Sequence, residues 1–470
     1  MNRKLAALTT EEQIAQLSAD MDVFWLIFGS VLVFFMQTGF TMLEVGNVQH
    51  KNTKNILIKN IFDAALGSTI FWLVGYGIAY GDDEGDFVGT TFYGLKNFND
   101  YGTWLFQWTF SATAVTIVSG AVAERISFEA YFIYAVVLSA IVYPFVVHWT
   151  WATGFMSPFA SDEKDDLLFG CGAIDFAGSG VVHMTGGVAA LVGIMFLGAR
   201  IGRFDKDSSF KLPEYSPIFQ CLGTFILFVG WFGFNGVSTL VASGGGSAVA
   251  AKAICTTVIA GSSACVTSVM IGRLHLGYID FEFACNGLLA GLVSITACCA
   301  TVEMEGAFCI GIIASIFYYN ATHLLEKYKI DDVVGAFPVH GACGAWGVIA
   351  AGLFTTENNY ARAYSGVYSD GGDRASHCNG VFYGGGGSQL AANIILFLVV
   401  IAWVGGISII MFGISSKLGK LRIKSEKENF GLDYAHHATR QEREMIKLAN
   451  PDFAEISPDF VSGRGGKSDL

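Results

Sequence analysis

Long apolar stretches recur along most of this 470-residue chain, and they constrain its fold more than any other feature. A helix needs about 20 consecutive apolar residues to cross the hydrocarbon core of a bilayer. Hydrophobic residues make up 53% of the chain and charged residues only 14%. The sequence therefore predicts an all-α membrane protein that crosses the bilayer many times.

Eleven transmembrane helices are predicted, and they divide the chain into three regions. Residues 1–22 form an extracellular N-terminal segment, residues 23–413 the transmembrane domain, and residues 414–470 a cytoplasmic tail. The N-terminal segment lacks the order of regions that marks a cleavable signal peptide. The predicted spans are residues 23–43, 61–80, 103–122, 130–147, 178–198, 216–235, 248–271, 281–300, 306–324, 334–354 and 389–413.

Charge in the loops predicts the orientation, because basic residues stay on the cytoplasmic side. Alternate loops are acidic: residues 82–86, residues 162–166, and Glu303 with Glu305. This places the N-terminus outside and the C-terminus inside, as an odd number of spans requires. The basic residues of the other loops and of the tail are Lys51, Lys54, Lys59, Arg125, Arg200, Arg203, Lys206, Lys211, Arg273, Lys327, Lys329, Lys417, Lys420, Arg422 and Lys424.

Two histidines occupy matching positions in two of these spans. His183 lies in span five and His340 in span ten, and an aspartate precedes each by eight residues, Asp175 and Asp332. Ionisable side chains inside a membrane are costly and indicate function by default. Eight helical residues rise about 12 Å, and the centre of the hydrocarbon core is about 15 Å deep. Each histidine is therefore predicted near the bilayer centre.

The matching segments indicate an internal repeat. Spans one to five and six to ten would form two five-helix units, and since five is odd the second unit enters the membrane in the opposite sense. Glycines beside the histidines (Gly186, Gly187, Gly341 and Gly344) would let the two helices approach until the imidazoles face each other. The alternative is two unrelated histidines, each bonded to a backbone carbonyl.

The two aspartates have two readings as well. Asp175 and Asp332 are each placed to cap the N-terminus of a histidine-bearing span, and we prefer that structural role. The alternative makes Asp175 a ligand for a cation.

Aromatic residues collect at the predicted outer end of the same path. They lie in spans three and six and just after span four, and Ser238 follows span six. Aromatic faces with one hydroxyl hold a small cation at about 0.5–2 kcal/mol per ring, whereas the alternative is an interfacial aromatic belt. The aromatic residues are Phe106, Phe110, Trp151, Trp231 and Phe234.

The chemistry of this path favours a small hydrogen-bonding solute. No ring of carboxylates is predicted along it, which argues against a general cation channel. A buried cation is costly beside neutral imidazoles, and a cation that sheds a proton avoids that cost. Ammonium is the obvious candidate.

Other classes of function lack support. There is no nucleotide-binding loop, metal-ligand cluster or nucleophile beside a base, so we expect neither an enzyme nor a cofactor. There is also no polybasic patch for nucleic acid. Cys171 and Cys378 both fall in predicted outer segments, which leaves a disulfide and two free thiols as alternatives.

Several long motifs closely resemble those of the ammonium transporters of the Amt/Mep/Rh family, and their sequences are most similar to the plant-type Amt branch. They are TGFTMLEVGNVQHKNTKNILIKN, FQWTFSATAVTIVSGAVAERI, DFAGSGVVHMTGG, WFGFNGVS and CNGLLAGLVSIT, and the resemblance covers residues 23–415. It implies eleven helices in two inverted five-helix repeats plus one extra helix, assembled as a homotrimer in the plasma membrane.

The resemblance also implies roles for residues. Trp151, Ser238 and Phe110 would form the outer ammonium site, Phe110 and Phe234 the gate below it, and His183 and His340 the twin histidines of the pore. Asp175 would be the essential outer carboxylate. Methylammonium is a further candidate substrate.

The tail motif GLDYAHHA, residues 431–438, resembles the family's regulatory C-terminal motif, which contacts the neighbouring subunit. Ala435 stands where plant relatives often carry a phosphorylatable threonine. Three hypotheses follow: an electrogenic ammonium transporter, an electroneutral Rh-like ammonia channel, and an ammonium sensor that signals to a cytoplasmic regulator through the tail.

Overall fold

The computed structural model describes residues 9–159, 167–205, 212–364 and 371–449. These residues form a bundle of helices with one short antiparallel hairpin, β1 (Asp83–Glu84) and β2 (Val88–Gly89). The helices are α1 (Thr10–Asn47), α2 (His50–Tyr80), α3 (Tyr101–Ala121), α4 (Phe128–Trp151), α5 (Ser179–Leu197), α6 (Pro217–Thr239), α7 (Gly246–Leu276), α8 (Phe281–Ile295), α9 (Met304–Lys327), α10 (Phe337–Phe354), α11 (Glu357–Tyr364), α12 (Gly371–His377), α13 (Ser388–Lys417), α14 (Ser425–Phe430), α15 (Leu432–His437) and α16 (Arg440–Ala449).

Within the described residues, nine helices are long and apolar enough to cross a bilayer: α1, α2, α4, α5, α6, α7, α9, α10 and α13. The remaining two predicted spans coincide with α3, which has 21 residues, and with α8, which has 15. The predicted all-α, multi-span architecture is confirmed. The count of eleven spans stays a prediction, because α3 is less apolar and α8 is short.

Two charged residues lie deeper in the bundle than their sequence position indicates. The first span is predicted to end at residue 43, but α1 continues to Asn47 and buries Glu44. The prediction of Lys59 as a loop residue is wrong, because Lys59 lies inside α2 and is 1% exposed. Its ammonium group lies 5.0 Å from the centre of the Tyr131 ring. Both Glu44 and Lys59 are therefore helical residues buried against neighbouring helices.

Two close helix crossings organise the bundle, and glycines make both of them. Where α1 crosses α6, a Cβ on Gly223 would come within 2.4 Å of the Leu43 backbone nitrogen. Where α5 crosses α10, a Cβ on Gly187 would come within 2.2 Å of the Gly341 backbone nitrogen. Real Cβ atoms do not fit at these distances, so the small residues allow backbone-to-backbone packing. The predicted close approach beside the histidines is confirmed.

The helices α5 and α10 share another feature at this crossing. Each begins with a π-helical segment, Ser179–Met184 in α5 and Phe337–Ala342 in α10. π-helical segments are rare in proteins, and those that occur are often found at functional sites. Each of them carries one histidine, His183 or His340.

The tail folds back on the bundle as the short helices α14 to α16. The Asp433 carboxylate accepts hydrogen bonds from the backbone N–H groups of Lys54 and Asn55, at 2.9 and 2.8 Å, near the start of α2. Arg422, just after α13, pairs with Glu428 of α14 at 2.8 Å. Lys206, Lys211, residues 162–166 and the end of the tail lie outside the described residues.

At the opposite end of the bundle, Cys171 and Cys378 are joined by a disulfide, with their Cα atoms 5.6 Å apart. Of the two alternatives left open by the sequence, the structure therefore has the disulfide. It links the segment before α5 to the segment after α12, 207 residues apart in sequence.

Candidate functional site

The two histidines meet in the interior of the bundle. Their Nδ1 atoms are 3.2 Å apart and their ring centroids 5.2 Å apart. His183 is fully buried and His340 is 5% exposed. One Nδ1 must donate and the other accept for the two rings to share this hydrogen bond. The pair bonds to itself rather than to backbone carbonyls, and the Nε2 atom of His183 has no partner among the described residues.

The Gly187–Gly341 crossing explains why the imidazoles meet. His183 precedes Gly187 by one helical turn and His340 is adjacent to Gly341 in sequence. Since the two backbones touch at the glycines, side chains one turn away are brought within hydrogen-bond distance. The packing of small residues thus sets the geometry of the polar pair.

An aspartate carboxylate caps the N-terminus of each histidine-bearing helix. Asp175 Oδ2 accepts from the backbone N–H groups of Gly180 and Val181, at 3.0 and 2.8 Å. Asp332 accepts from Ala336 at 3.0 Å and from Phe337 at 2.8 Å. N–H groups in the first turn of a helix have no partner within it, and a carboxylate there satisfies them and favours the helix dipole. The other Asp175 oxygen, Oδ1, has no partner among the described residues.

Aromatic rings stack above His183. The centroids of the Phe110 and Phe234 rings are 4.2 Å apart, with 38° between the ring planes. The two rings are therefore in contact and leave no open passage between them. The His183 ring lies parallel to Phe234 at 5.2 Å and to Trp231 at 5.4 Å. Trp151 meets Phe110 edge-on at 5.7 Å. All four aromatic side chains named in these contacts therefore belong to one cluster with the histidines.

Beyond this aromatic stack lies a cavity of about 80 Å³, here called the aromatic cavity. The Trp151 indole N–H donates to the Asp175 carbonyl at 2.7 Å, which fixes the ring at the cavity wall. Ser238 Oγ donates to the Phe234 carbonyl at 2.7 Å, so its oxygen keeps lone pairs free. The residues that line the cavity include Trp151, Phe159, Asp175, Phe176, Ser238 and Tyr364.

On the other side of the histidines lies a larger cavity of about 230 Å³, here called the charged cavity. Its lining is rich in ionisable side chains, in contrast to the aromatic cavity. These side chains are Arg200, Arg203, Glu214, Glu282, Glu326 and Asp332.

Ion pairs hold the walls of the charged cavity in place. The Arg200 guanidinium contacts Glu124 at 2.5 Å and Asp331 at 2.7 Å, and all three side chains are nearly buried. Burial by itself would raise the pKa of Asp331, but hydrogen bonds and charge from Arg200 outweigh it and lower that pKa to about 2. Arg125 donates to the carbonyls of Ala121 and Ala123 at the end of α3, and so caps that helix.

The sequence reasoning missed one carboxylate close to the histidine pair, Glu44. It lines a small cavity together with His340, whereas the predicted first span stops one residue before it. A glutamate inside a 38-residue apolar helix is a signal that could have found it, because such residues are rarely placed in a span without a role.

A bundle of apolar helices with a buried imidazole pair between two cavities defines a multi-pass membrane protein of the transporter and channel class. The chain belongs to the Ammonium Transporter Family, whose model matches residues 23–442. The resemblance predicted from the motifs is confirmed.

Similar proteins agree with this assignment. Ammonium transporter 1 member 1 of Arabidopsis thaliana is 41% identical over 411 residues, which cover 84% of this chain and 80% of that protein. Ammonium transporter Amt2 of Archaeoglobus fulgidus is 41% identical over 423 residues, covering 89% of this chain and 87% of that protein.

Solved structures share the fold. A structure titled Sensor Amt Protein aligns with a TM-score of 0.78 at 31% identity, covering 90% of this chain and all of that one. Mep2 of Candida albicans aligns with a TM-score of 0.74 at 25% identity, covering 87% of each chain.

Proposed function

We propose that this protein transports ammonium across the plasma membrane, binding NH4+ in the aromatic cavity and passing NH3 and a proton separately along the histidine pair. The contact between His183 and His340, at 3.2 Å, is the observation that carries the proposal. The names of the relatives, which are ammonium transporters, support the same proposal. Membership of the family and the buried pair support a transporter rather than an enzyme.

The aromatic cavity suits a small cation. The edge-on rings of Phe110 and Trp151 offer π faces, each worth about 0.5–2 kcal/mol to a desolvated cation. Ser238 Oγ has lone pairs to accept a hydrogen bond from it, and the Asp175 carboxylate on the cavity wall makes the local potential negative. Methylammonium presents the same charge and donors, so we expect it to bind as well.

The stack below the aromatic cavity favours a neutral species. The gate formed by Phe110 and Phe234, with centroids 4.2 Å apart, has no polar group to replace the hydration of a cation. Burying an unpaired cation costs many kcal/mol, on the order of tens in the extreme case. Ammonia avoids that cost, while the two imidazoles offer a hydrogen-bonded route for the proton.

The proposed topology has eleven transmembrane helices, with the N-terminus outside and the C-terminus inside. Units α1 to α5 and α6 to α10 would be inverted repeats, and α13 the extra helix. The crossings of α1 with α6 and of α5 with α10 support this, because a two-fold relation between the units pairs these helices. The aromatic cavity then opens outward and the charged cavity inward. We further propose a homotrimer with one path per subunit.

Ammonium-evoked current in proteoliposomes tests this proposal. A saturable current should fall about 100-fold in His183→Ala, since a positioned proton acceptor contributes on that order. In Trp151→Ala the half-saturating concentration should rise about tenfold, as loss of about 1.4 kcal/mol of cation binding requires. His275→Ala and Trp72→Ala, which remove exposed rings outside both cavities, are the matched controls. A His183→Ala current equal to that of the wild type would exclude the proposed path.

The electroneutral alternative is separated by the charge moved per ammonium taken up. Rapid internal alkalinisation without current would identify an ammonia channel. Trp151 disfavours that alternative, since a cation-binding ring serves no purpose for a neutral substrate.

A sensor is the second candidate function, favoured by the similarity to the structure titled Sensor Amt Protein. The tail contacts the bundle through Asp433 and Glu428, which gives a cytoplasmic regulator a surface to act on. Deleting residues 431–470 should leave uptake intact and abolish signalling if the protein is a sensor. Loss of uptake would instead identify a tail that gates transport.

A further inference from the structure

A third cavity lies between the histidine pair and the charged cavity, here called the histidine cavity. Its volume is about 10 Å³, which is room for about one water molecule. Gly335 lines both this cavity and the charged cavity, so the two adjoin. The residues that line the histidine cavity include Phe40, Glu44, Thr116, Asn286, Val339 and His340.

Glu44 is the one carboxylate among the described residues that line the histidine cavity. Its side chain is 2% exposed. One carboxylate oxygen accepts from Ser119 Oγ, and the other accepts from Asn60 Nδ2 at 2.6 Å. Each oxygen can accept a further hydrogen bond, and a water molecule in the histidine cavity would be a suitable donor.

A buried carboxylate in a membrane span is expensive, so its presence calls for a physical reason. One reason is charge balance for Lys59, which is buried close enough to act on Glu44 electrostatically. But Lys59 has a second buried carboxylate nearby, Asp63, which accepts from the Tyr131 hydroxyl at 2.5 Å. Asp63 does not line the histidine cavity, and charge balance alone does not explain why Glu44 faces His340.

We propose that Glu44 accepts the proton from the histidine pair on the cytoplasmic side of the pore. In this step a water in the histidine cavity relays the proton. The N–H bond of the His340 imidazolium breaks, an O–H bond forms on Glu44, and both side chains become neutral. Ammonia leaving the pair then takes that proton to become NH4+, and the Glu44 carboxylate regains its negative charge. This inference rests on the proposed transport function.

The test compares two isosteric variants from the same buried cluster. Glu44→Gln and Asp63→Asn each remove one negative charge beside Lys59, but only Glu44 lines the histidine cavity. Purified protein in proteoliposomes is assayed for current and for uptake of labelled methylammonium in the same preparation. In Glu44→Gln the charge moved per methylammonium should fall about tenfold or more, as expected on removing a proton acceptor. Asp63→Asn should keep the wild-type ratio.

Two results would overturn the inference: a wild-type ratio in Glu44→Gln, or an equal fall in both variants, which would identify an electrostatic role of the whole cluster. If the wild-type protein moves no charge, the proposed electrogenic function fails instead, and the two failures are thus distinguishable.

Ser119→Ala provides a test should Glu44→Gln not fold. It removes a hydroxyl that stabilises the charged carboxylate but leaves every charge in place. The inner pH at which current is half-maximal should shift upward by about half a unit or more, because a hydrogen bond to the charged form is lost. An unchanged inner-pH profile would count against Glu44 as the acceptor.

Discussion

The two large cavities on either side of the histidine pair are built in different ways. The aromatic cavity is walled by rings, and Asp175 is the one carboxylate among the described residues that line it; its Oδ2 is bound by backbone N–H groups. The charged cavity is nearly three times as large, at about 230 against 80 Å³. Its walls are held by the Arg200 ion pairs with Glu124 and Asp331.

Under the proposed function, the aromatic cavity binds the substrate and the ion pairs of the charged cavity support the fold. Aromatic faces bind a cation without ion pairing, so changes there should alter affinity more than stability. In a buried ion pair each charge compensates the other. Removing one partner therefore leaves an uncompensated buried charge, which destabilises the fold. The four predictions below test this division, from the largest expected effect to the smallest.

Asp331→Asn at the charged cavity should have the largest effect on stability. It leaves part of the Arg200 charge uncompensated in a buried site and should cost about 3 kcal/mol of unfolding free energy. Substrate affinity should change little, since Asp331 lines neither the aromatic nor the histidine cavity. Thermal unfolding in detergent, followed by tryptophan fluorescence, measures the first effect and uptake the second. A large rise in half-saturating concentration with unchanged stability would reverse the division proposed here.

The same variant predicts a pH dependence. Because the folded-state pKa of Asp331 is lowered from 3.8 to about 2, its stabilising contribution is complete above the unfolded value and is lost as pH falls through the folded value. The wild type should lose about 2 kcal/mol more than Asp331→Asn between pH 5 and pH 2. Parallel pH profiles for the two proteins would contradict this assignment.

Gly187→Ala tests the crossing that separates the two cavities, and its expected effect is intermediate. The new Cβ would lie 2.2 Å from the Gly341 backbone nitrogen, so α5 and α10 must move apart. We expect overpacking to cost about 2 kcal/mol and transport to fall about tenfold as the histidine pair separates. Gly406→Ala in α13, where a Cβ meets nothing within 4 Å, is the matched control. Equal behaviour of the two variants would mean that the crossing does not set the histidine contact.

Ser238→Ala at the aromatic cavity should have the smallest effect. It removes one hydrogen-bond acceptor for the cation and should raise the half-saturating concentration about fivefold, as the loss of about 1 kcal/mol implies. Maximal rate and melting temperature should stay at wild-type values. The control is Ser262→Ala, an exposed serine on α7. A fall in melting temperature without a change in affinity would place Ser238 among the supporting residues instead.

Much of the site could be predicted from the sequence because its members repeat. The matched spacing of Asp175 to His183 and of Asp332 to His340 predicted two equivalent helix starts, and the glycines beside the histidines predicted the close crossing. The family resemblance identified Trp151, Phe110, Phe234 and Ser238. The structure places the three rings in one cluster with His183, and it places Ser238 in the aromatic cavity with Trp151.

The misses share a physical cause. Glu44 and Lys59 were assigned outside the spans because charges are expensive in lipid, yet both are buried in helices. Neither faces lipid: Glu44 is bound by Ser119 and Asn60, and Lys59 lies over Tyr131. Hydropathy averages along the chain and carries no information about which neighbouring helix satisfies a charge.

The sequence by itself determined the membrane class, the family and the residue types of the path, because apolar length and repeated motifs are properties of the linear chain. Only the tertiary structure decided which groups share a cavity. The Nδ1 contact of the two histidines, the disulfide between Cys171 and Cys378 and the position of Glu44 beside His340 all join residues more than 150 positions apart. Such contacts depend on how helix surfaces fit together, and that fit is set at crossings such as Gly187 with Gly341.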